Sequence, residues 1–315
     1  MILREKAKCE INSSQHVKSF LFLLFILFIP AFLSLKASEA AEISAKAAIV
    51  VESASEEILF AKNPDLKLPP ASTTKVITVM VALDTLSPDE LVTVSRKASE
   101  TPSVPPRLRE GEKVSVKNLL HFALIRSING AAVALAEAAA GSEDAFVPLM
   151  NKKAASLGAL NTQFINASGL PGKGQHTTAR DLAKILKEAL TYPLISGILD
   201  TKVASLEVDG KSVILTNTNY LLWADEDHLG GKTGYTRAAR HCFVGASEKE
   251  DGVLIIALLG DKTRDRLWTD AEKLLAQDFE KGKIIIDAEK AAYKKVTRRK
   301  AVHRSKVKKS RTKSL

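Results

Sequence analysis

The placement of β-type sequence constrains this chain most. Short runs rich in Val, Ile, Leu and Ala lie near both ends of its central region, with a long helical stretch between them. AKAAIVVE (45–52) and EILFAKN (57–63), joined by SASE, read as a hairpin. HLGGKTGYT (228–236), HCFVGASE (241–248) and GVLIIALLG (252–260) read as three further strands. Between these groups, KVITVMVALDTL follows a Pro69-Pro70 stop and has the spacing of a largely buried helix. Helices are also expected over 116–125, 129–141 and 143–158, and over 178–191 with Thr177 or Thr178 as N-cap. A last helix is expected over 270–281, and TPSVPPR (101–107) reads as a proline-rich loop. Strands and helices do not alternate, so a βαβ repeat is excluded. The pattern predicts an α+β fold in which one antiparallel sheet is built from both chain ends and flanked by helices, with an inserted helical region.

At 315 residues and 45% hydrophobic, the chain can bury a sizeable core in one large domain or two smaller ones. Its net charge of +10 is unevenly placed, because eleven Lys or Arg and no acid fall within residues 294–315. The remainder is near neutral, so basicity belongs to a tail with the composition of a disordered segment. Such a tail suits anionic lipid head groups or wall polymers; for an exported chain, nucleic acid is not the expected partner. Phe20–Leu35 is sixteen residues without a charge, preceded by Lys18 and followed by Ser38-Glu39-Ala40. That is short for a span of about 20 residues and is broken by Pro30. It reads as an export leader cleaved near Ala40, with an uncleaved N-terminal anchor as the alternative. The expected division is 1–40 leader or anchor, 41–283 folded domain, and 284–315 basic tail. Of the two cysteines, Cys9 precedes the leader's apolar run and Cys242 would remain alone, so no intrachain disulfide is expected.

Three short patterns carry chemistry. Ser72 and Lys75 form S-x-x-K at a helix start, where residues i and i+3 share a face. A lysine serves as a base only when neutral, which burial and a second nearby cation both promote. Ser127-Ile128-Asn129 stands at a break between helices, and Lys232-Thr233-Gly234 enters a strand after Gly230-Gly231. Singly, these would be a cap, a turn and a strand edge.

In this order the triplets resemble the signature of penicillin-binding proteins and serine β-lactamases. The resemblance extends through PPASTTKVITVMVAL, LREGEKVSVKNLLHFALIRSINGAAVALAEAAAG, HTTARDLAKI and GGKTGYTRAARHCFVGAS. It is to D-alanyl-D-alanine carboxypeptidases and covers roughly residues 44–281. The resemblance implies a β-lactamase/transpeptidase-like fold with Ser72 as nucleophile, Lys75 as base, Ser127 as proton relay and Asn129 as orienting residue. Lys232 and Thr233 would bind the substrate's terminal carboxylate. Gly234 would give close approach, and the N–H groups of Ser72 and Tyr235 would form the oxyanion hole. No metal or cofactor is implied. The implied function is removal of terminal D-alanine from peptidoglycan stem pentapeptides by an exported enzyme of the periplasm or cell-wall space, with β-lactam antibiotics as covalent inhibitors. Alternatives are a D,D-endopeptidase cutting cross-links, an inactive wall- or membrane-binding homologue, and a β-lactamase, although the glutamate motif of class A enzymes is missing. Ile128 replaces the small residue that many relatives carry, and Arg264 and Arg266 compete for the role of carboxylate-binding arginine. His121, His176 and His228 are expected to be structural, and Phe122, Trp223 and Trp268 to line core or cleft.

Overall fold

The computed structural model describes residues 43–250, 252–277, 279 and 285–286. The expected leader and almost all of the basic tail lie outside these residues. The chain opens with β1 (Ala47–Glu52) and β2 (Ile58–Lys62), then a 3-10 turn (Ala71–Thr74) running into α1 (Lys75–Leu83). There follow β3 (Leu91–Thr93), α2 (Arg96–Glu100), β4 (Lys113–Ser115), α3 (Val116–Leu124), α4 (Asn129–Ala140) and α5 (Glu143–Ser156). Next come α6 (Ala179–Ala189), α7 (Pro193–Asp200), the hairpin β5 (Val203–Val208) and β6 (Lys211–Thr216), and α8 (Leu221–Ala224). The chain returns through β7 (His228–Thr236), β8 (Arg240–Lys249), β9 (Gly252–Asp261), α9 (Arg264–Leu275) and β10 (Ile285–Ile286).

The main sheet has the order β10-β2-β1-β9-β8-β7. Its central pairing, β1 with β9 antiparallel from Ala47↔Leu259 to Glu52↔Leu254, joins the two chain ends as expected. Side chains alternate between the sheet's faces. Ala47, Ile49, Val244, Ile255 and Ala257 join the core shared with the helical region. Ala48, Val50, Phe243, Ile256 and Leu258 pack with Leu267, Trp268, Ala271 and Leu274 of α9. Because both faces are covered, β9 is a continuous apolar run rather than an alternating one. Within the helical region, α1 is buried on every side from Lys75 to Ala82. A helix apolar all round belongs in the interior, and Lys75 is carried there with it.

Three expectations are corrected. The last helix begins at Arg264, because Thr263 Oγ1 accepts from Arg266 N (3.2 Å) and caps it six residues ahead of the expected start. The β5–β6 hairpin was not expected, although Asp209-Gly210 lies at its turn and β5 alternates exposed and buried residues. Trp223 is 49% exposed and belongs neither to core nor to cleft wall. Ile285–Ile286 pairs parallel to Phe60 and Ala61 at the sheet's outer edge. No helix among the described residues is long and apolar enough to cross a membrane.

Candidate active site

The 3-10 turn before α1 leaves Ser72 partly exposed at a cleft floor, while Lys75 begins the helix and is fully buried. Lys75 Nζ lies 3.0 Å from Ser72 Oγ, 2.6 Å from Asn129 Oδ1 and 2.7 Å from the Ser168 carbonyl oxygen. Asn129 is fixed by the proline-rich loop: its N–H donates to Ser103 Oγ (2.9 Å) and its Nδ2 to Pro102 O (2.6 Å). With Nδ2 committed to that carbonyl, Oδ1 turns toward Lys75. Ser127 sits at φ +65°, a left-handed conformation that ends one helix and swings its hydroxyl toward β7. There Lys232, also fully buried, donates to Ser127 Oγ (3.0 Å) and to Thr233 O (2.9 Å). Two hydrogen-bonded groups therefore form on the cleft, Ser72 and Asn129 joined through Lys75, and Ser127 joined to Lys232.

Among the described residues, no carboxylate lies within ion-pairing distance of either lysine. Burial pushes Lys232 down to about 7. Burial first, and the neighbouring Lys232 charge second, hold Lys75 well below an ordinary lysine. The acceptors around Lys75 then acquire distinct roles. Asn129 Oδ1 and Ser168 O can only accept, so they take the two N–H bonds of a neutral amine. Of the three partners, only the Ser72 hydroxyl can donate, and it meets the remaining lone pair. This is the geometry of a nucleophile beside its base.

The third triplet closes the opposite wall. Gly234 is required by contact: a Cβ there would stand 2.9 Å from Ser72 N and 3.1 Å from Thr73 N. The β7 backbone thus runs directly past the N–H of Ser72. Thr233 Oγ1 lies 2.6 Å from Thr218 Oγ1, and Thr218 O accepts from Arg264 Nη2 (3.1 Å). The cleft, of about 370 Å³, is lined by Arg264 and not by Arg266. Tyr235 is 56% exposed at the mouth, its ring centroid 4.5 Å from that of His241. Two hollows elsewhere on the surface are larger, about 500 and 400 Å³, but contain none of the triplet residues.

Several contributors carry no sequence signal. Ser168 contributes its backbone carbonyl, while Thr218 and His241 enter the cleft by tertiary placement. Trp268 is the expected cleft-wall aromatic, and Phe122 is in the core. His228, buried between Asn219 and Ser247 and pushed down to about 4 by burial, is structural. Cys242 is a buried free thiol, raised to about 12 by burial, and is therefore an inert packing residue.

A sequence profile of the D-alanyl-D-alanine carboxypeptidases matches residues 34–263. The chain belongs to the D-alanyl-D-alanine carboxypeptidase family. It is 35% identical over 237 residues to the D-alanyl-D-alanine carboxypeptidase DacF of Bacillus subtilis, covering 73% of this chain and 61% of DacF. With DacC of Escherichia coli the identity is 36% over 268 residues, covering 81% and 66%. The chain thus spans less than two thirds of the length of these two relatives. The D-alanyl-D-alanine endopeptidase of Escherichia coli is 34% identical over 250 residues, covering 74% and 80%. Among solved structures, a D-alanyl-D-alanine carboxypeptidase from Mycobacterium tuberculosis superposes with a TM-score of 0.71 at 33% identity, covering 74% of this chain and 90% of its own. The Streptomyces K15 DD-transpeptidase gives 0.71 at 27%, covering 74% and 96%. The family members share the α+β fold described above.

Proposed function

We propose that the chain is a serine D,D-carboxypeptidase that removes the terminal D-alanine of peptidoglycan stem pentapeptides. The observation that carries this is Lys75: a buried amine with no carboxylate partner among the described residues, two obligate acceptors, and a serine hydroxyl 3.0 Å away. Ser72 Oγ passes its proton to the neutral Nζ of Lys75 and attacks the carbonyl carbon between the two D-alanines. The resulting oxyanion is held by the N–H groups of Ser72 and Tyr235, each worth ~3 kcal/mol in sites of this kind. Ser127, bonded to Lys232, relays a proton to the leaving nitrogen; the C–N bond breaks and D-alanine departs. Water then cleaves the Ser72 ester, and the proton it releases restores the hydroxyl. Lys232, Thr233 and Arg264 would take the substrate's terminal carboxylate, an anion among cations.

β-Lactams would acylate the same hydroxyl. Export through a leader within residues 1–40, to the periplasm or cell-wall space, completes the proposal; its support is the uncharged run Phe20–Leu35. The basic segment 284–315 would then face anionic lipid or wall polymer. Incubation with stem pentapeptide should release free D-alanine, and a fluorescent penicillin should label the wild type but not Ser72→Ala. Labelling without D-alanine release would refute the carboxypeptidase assignment, and no labelling would refute the serine mechanism. Cleavage of peptide cross-links is the second reading. It is favoured by the similarity to the Escherichia coli endopeptidase and by a second arginine at the cleft.

A further inference from the structure

We propose that Arg126 selects the leaving group, pairing with a carboxylate that a cross-linked peptide carries and a lone D-alanine lacks. The inference rests on the serine D,D-peptidase reading above. Arg126 immediately precedes Ser127, the group assigned to protonate the leaving nitrogen, and lines the same cleft. It is partly buried, and its Nε donates to the Pro105 carbonyl (3.1 Å). Among the described residues its Nη groups have no hydrogen-bond partner and no carboxylate in ion-pairing reach.

Its position along the cleft is set by one backbone link. The carbonyl of Ile125 accepts from Thr218 N (3.2 Å), and Thr218 joins Thr233 through its hydroxyl and Arg264 through its carbonyl. Arg126 and Arg264 therefore flank the Thr218–Thr233 pair at the leaving-group end, with Lys232 behind. No Asp or Glu lines the cleft. One terminal carboxylate is matched by Thr233, Arg264 and Lys232 together. A guanidinium does not shed its proton, so Arg126 remains a partly desolvated cation without a counterion. A D-alanine leaving group brings one negative charge. When the scissile nitrogen instead belongs to a diamino acid of a second stem, the leaving group continues as a peptide with further carboxylates. Its extra anion would meet the free face of the Arg126 fork in charge-assisted bonds.

The test uses a cross-linked muropeptide dimer, the same dimer with the leaving strand's additional carboxylates converted to primary amides, and monomeric pentapeptide. Wild type should prefer the acid dimer over the amidated one by about tenfold or more in kcat/KM, the scale of one charge-assisted hydrogen bond. Arg126→Gln should abolish that preference mainly through KM, and Arg126→Lys should retain part of it. Arg264→Gln should slow all three substrates alike. An equal preference for the acid dimer in wild type and Arg126→Gln would overturn the proposal, as would failure of a penicillin-labelled, pentapeptide-active wild type to cleave the dimer. A protein that penicillin fails to label would lose the underlying serine reading, and this inference with it.

Discussion

Two buried clusters of like charge stand in this fold, and they are resolved in opposite ways. In the cleft, Lys75 and Lys232 are both fully buried without a carboxylate partner among the described residues. At the edge of the sheet's other face, Asp261 and Asp270 are buried without a cation partner among those residues. Asp270 Oδ2 accepts from Ser44 N (2.7 Å) and Ala45 N (2.9 Å), tying the chain's first described residues to α9. Ser44 Oγ stands between the carboxylates, 2.9 Å from Asp261 Oδ1 and 3.0 Å from Asp270 Oδ2. One hydroxyl proton serves only one of them at a time, and burial with Asp270 beside it raises Asp261 to about 6. The acid pair is relieved by backbone and hydroxyl donors, which is a structural solution. In the mechanism proposed above the lysine pair is relieved by losing a proton, and the lone pair so created points at the Ser72 hydroxyl.

Replacing one member of each cluster should separate the two solutions, and the largest effect falls in the cleft. Lys75→Met should slow acylation by penicillin ~10³-fold, the scale of a lost general base. It should also raise the thermal midpoint, because an apolar chain of similar volume removes a buried amine that must be desolvated. A fall in both would make Lys75 structural. Asp270→Ala should do the reverse. It leaves the N–H groups of Ser44 and Ala45 without an acceptor, at about 1–3 kcal/mol each in urea unfolding, while penicillin labelling persists.

The pH dependence of stability sharpens the contrast because the two clusters slope in opposite directions. Asp261 is raised to about 6 by burial and by Asp270 beside it. An acid that holds its proton more tightly when folded contributes fully below its unfolded value near 4 and loses that contribution as pH rises through 6. Lys232 is pushed down to about 7, so between there and the ordinary lysine value of 10.5 the unfolded chain binds the extra proton. Stability should therefore rise with pH across that range. Urea midpoints for Asp261→Asn should lack the decline between about pH 4 and 6, and those for Lys232→Met should rise less steeply above about 7, with Lys75 supplying the remainder. A slope unchanged by its mutation would dissociate that residue from it. The smallest effect is expected at Ser103→Ala, which removes the acceptor of Asn129 N and should cost about 1 kcal/mol, read as a several-fold slower labelling rate.

The cleft was legible in the sequence where chemistry demands a residue type. Two hydroxyls, two amines and an amide in the order Ser72, Lys75, Ser127, Asn129 and Lys232 leave their mark wherever the backbone brings them together. The central sheet was legible because β1 and β9 are apolar runs at opposite ends of the chain. Ser168 was not, since any residue supplies a carbonyl. Arg264 could not be told from Arg266 until the N-cap at Thr263 fixed the phase of α9 and turned only one of them to the cleft. The β5–β6 hairpin was missed although Asp209-Gly210 lies at its turn. Trp223 was misplaced because an aromatic beside apolar neighbours looks buried until its helix, here one turn long, is set on the surface.

The neutrality of Lys75 is the claim on which the rest depends, and it can be observed directly. Titration of its Cε resonance by ¹³C NMR in lysine-labelled protein, assigned by its loss in Lys75→Arg, should show deprotonation well below 10.5, moving upward in Lys232→Gln as the neighbouring cation is removed. A resonance that titrates near 10.5 and ignores Lys232 would contradict the account.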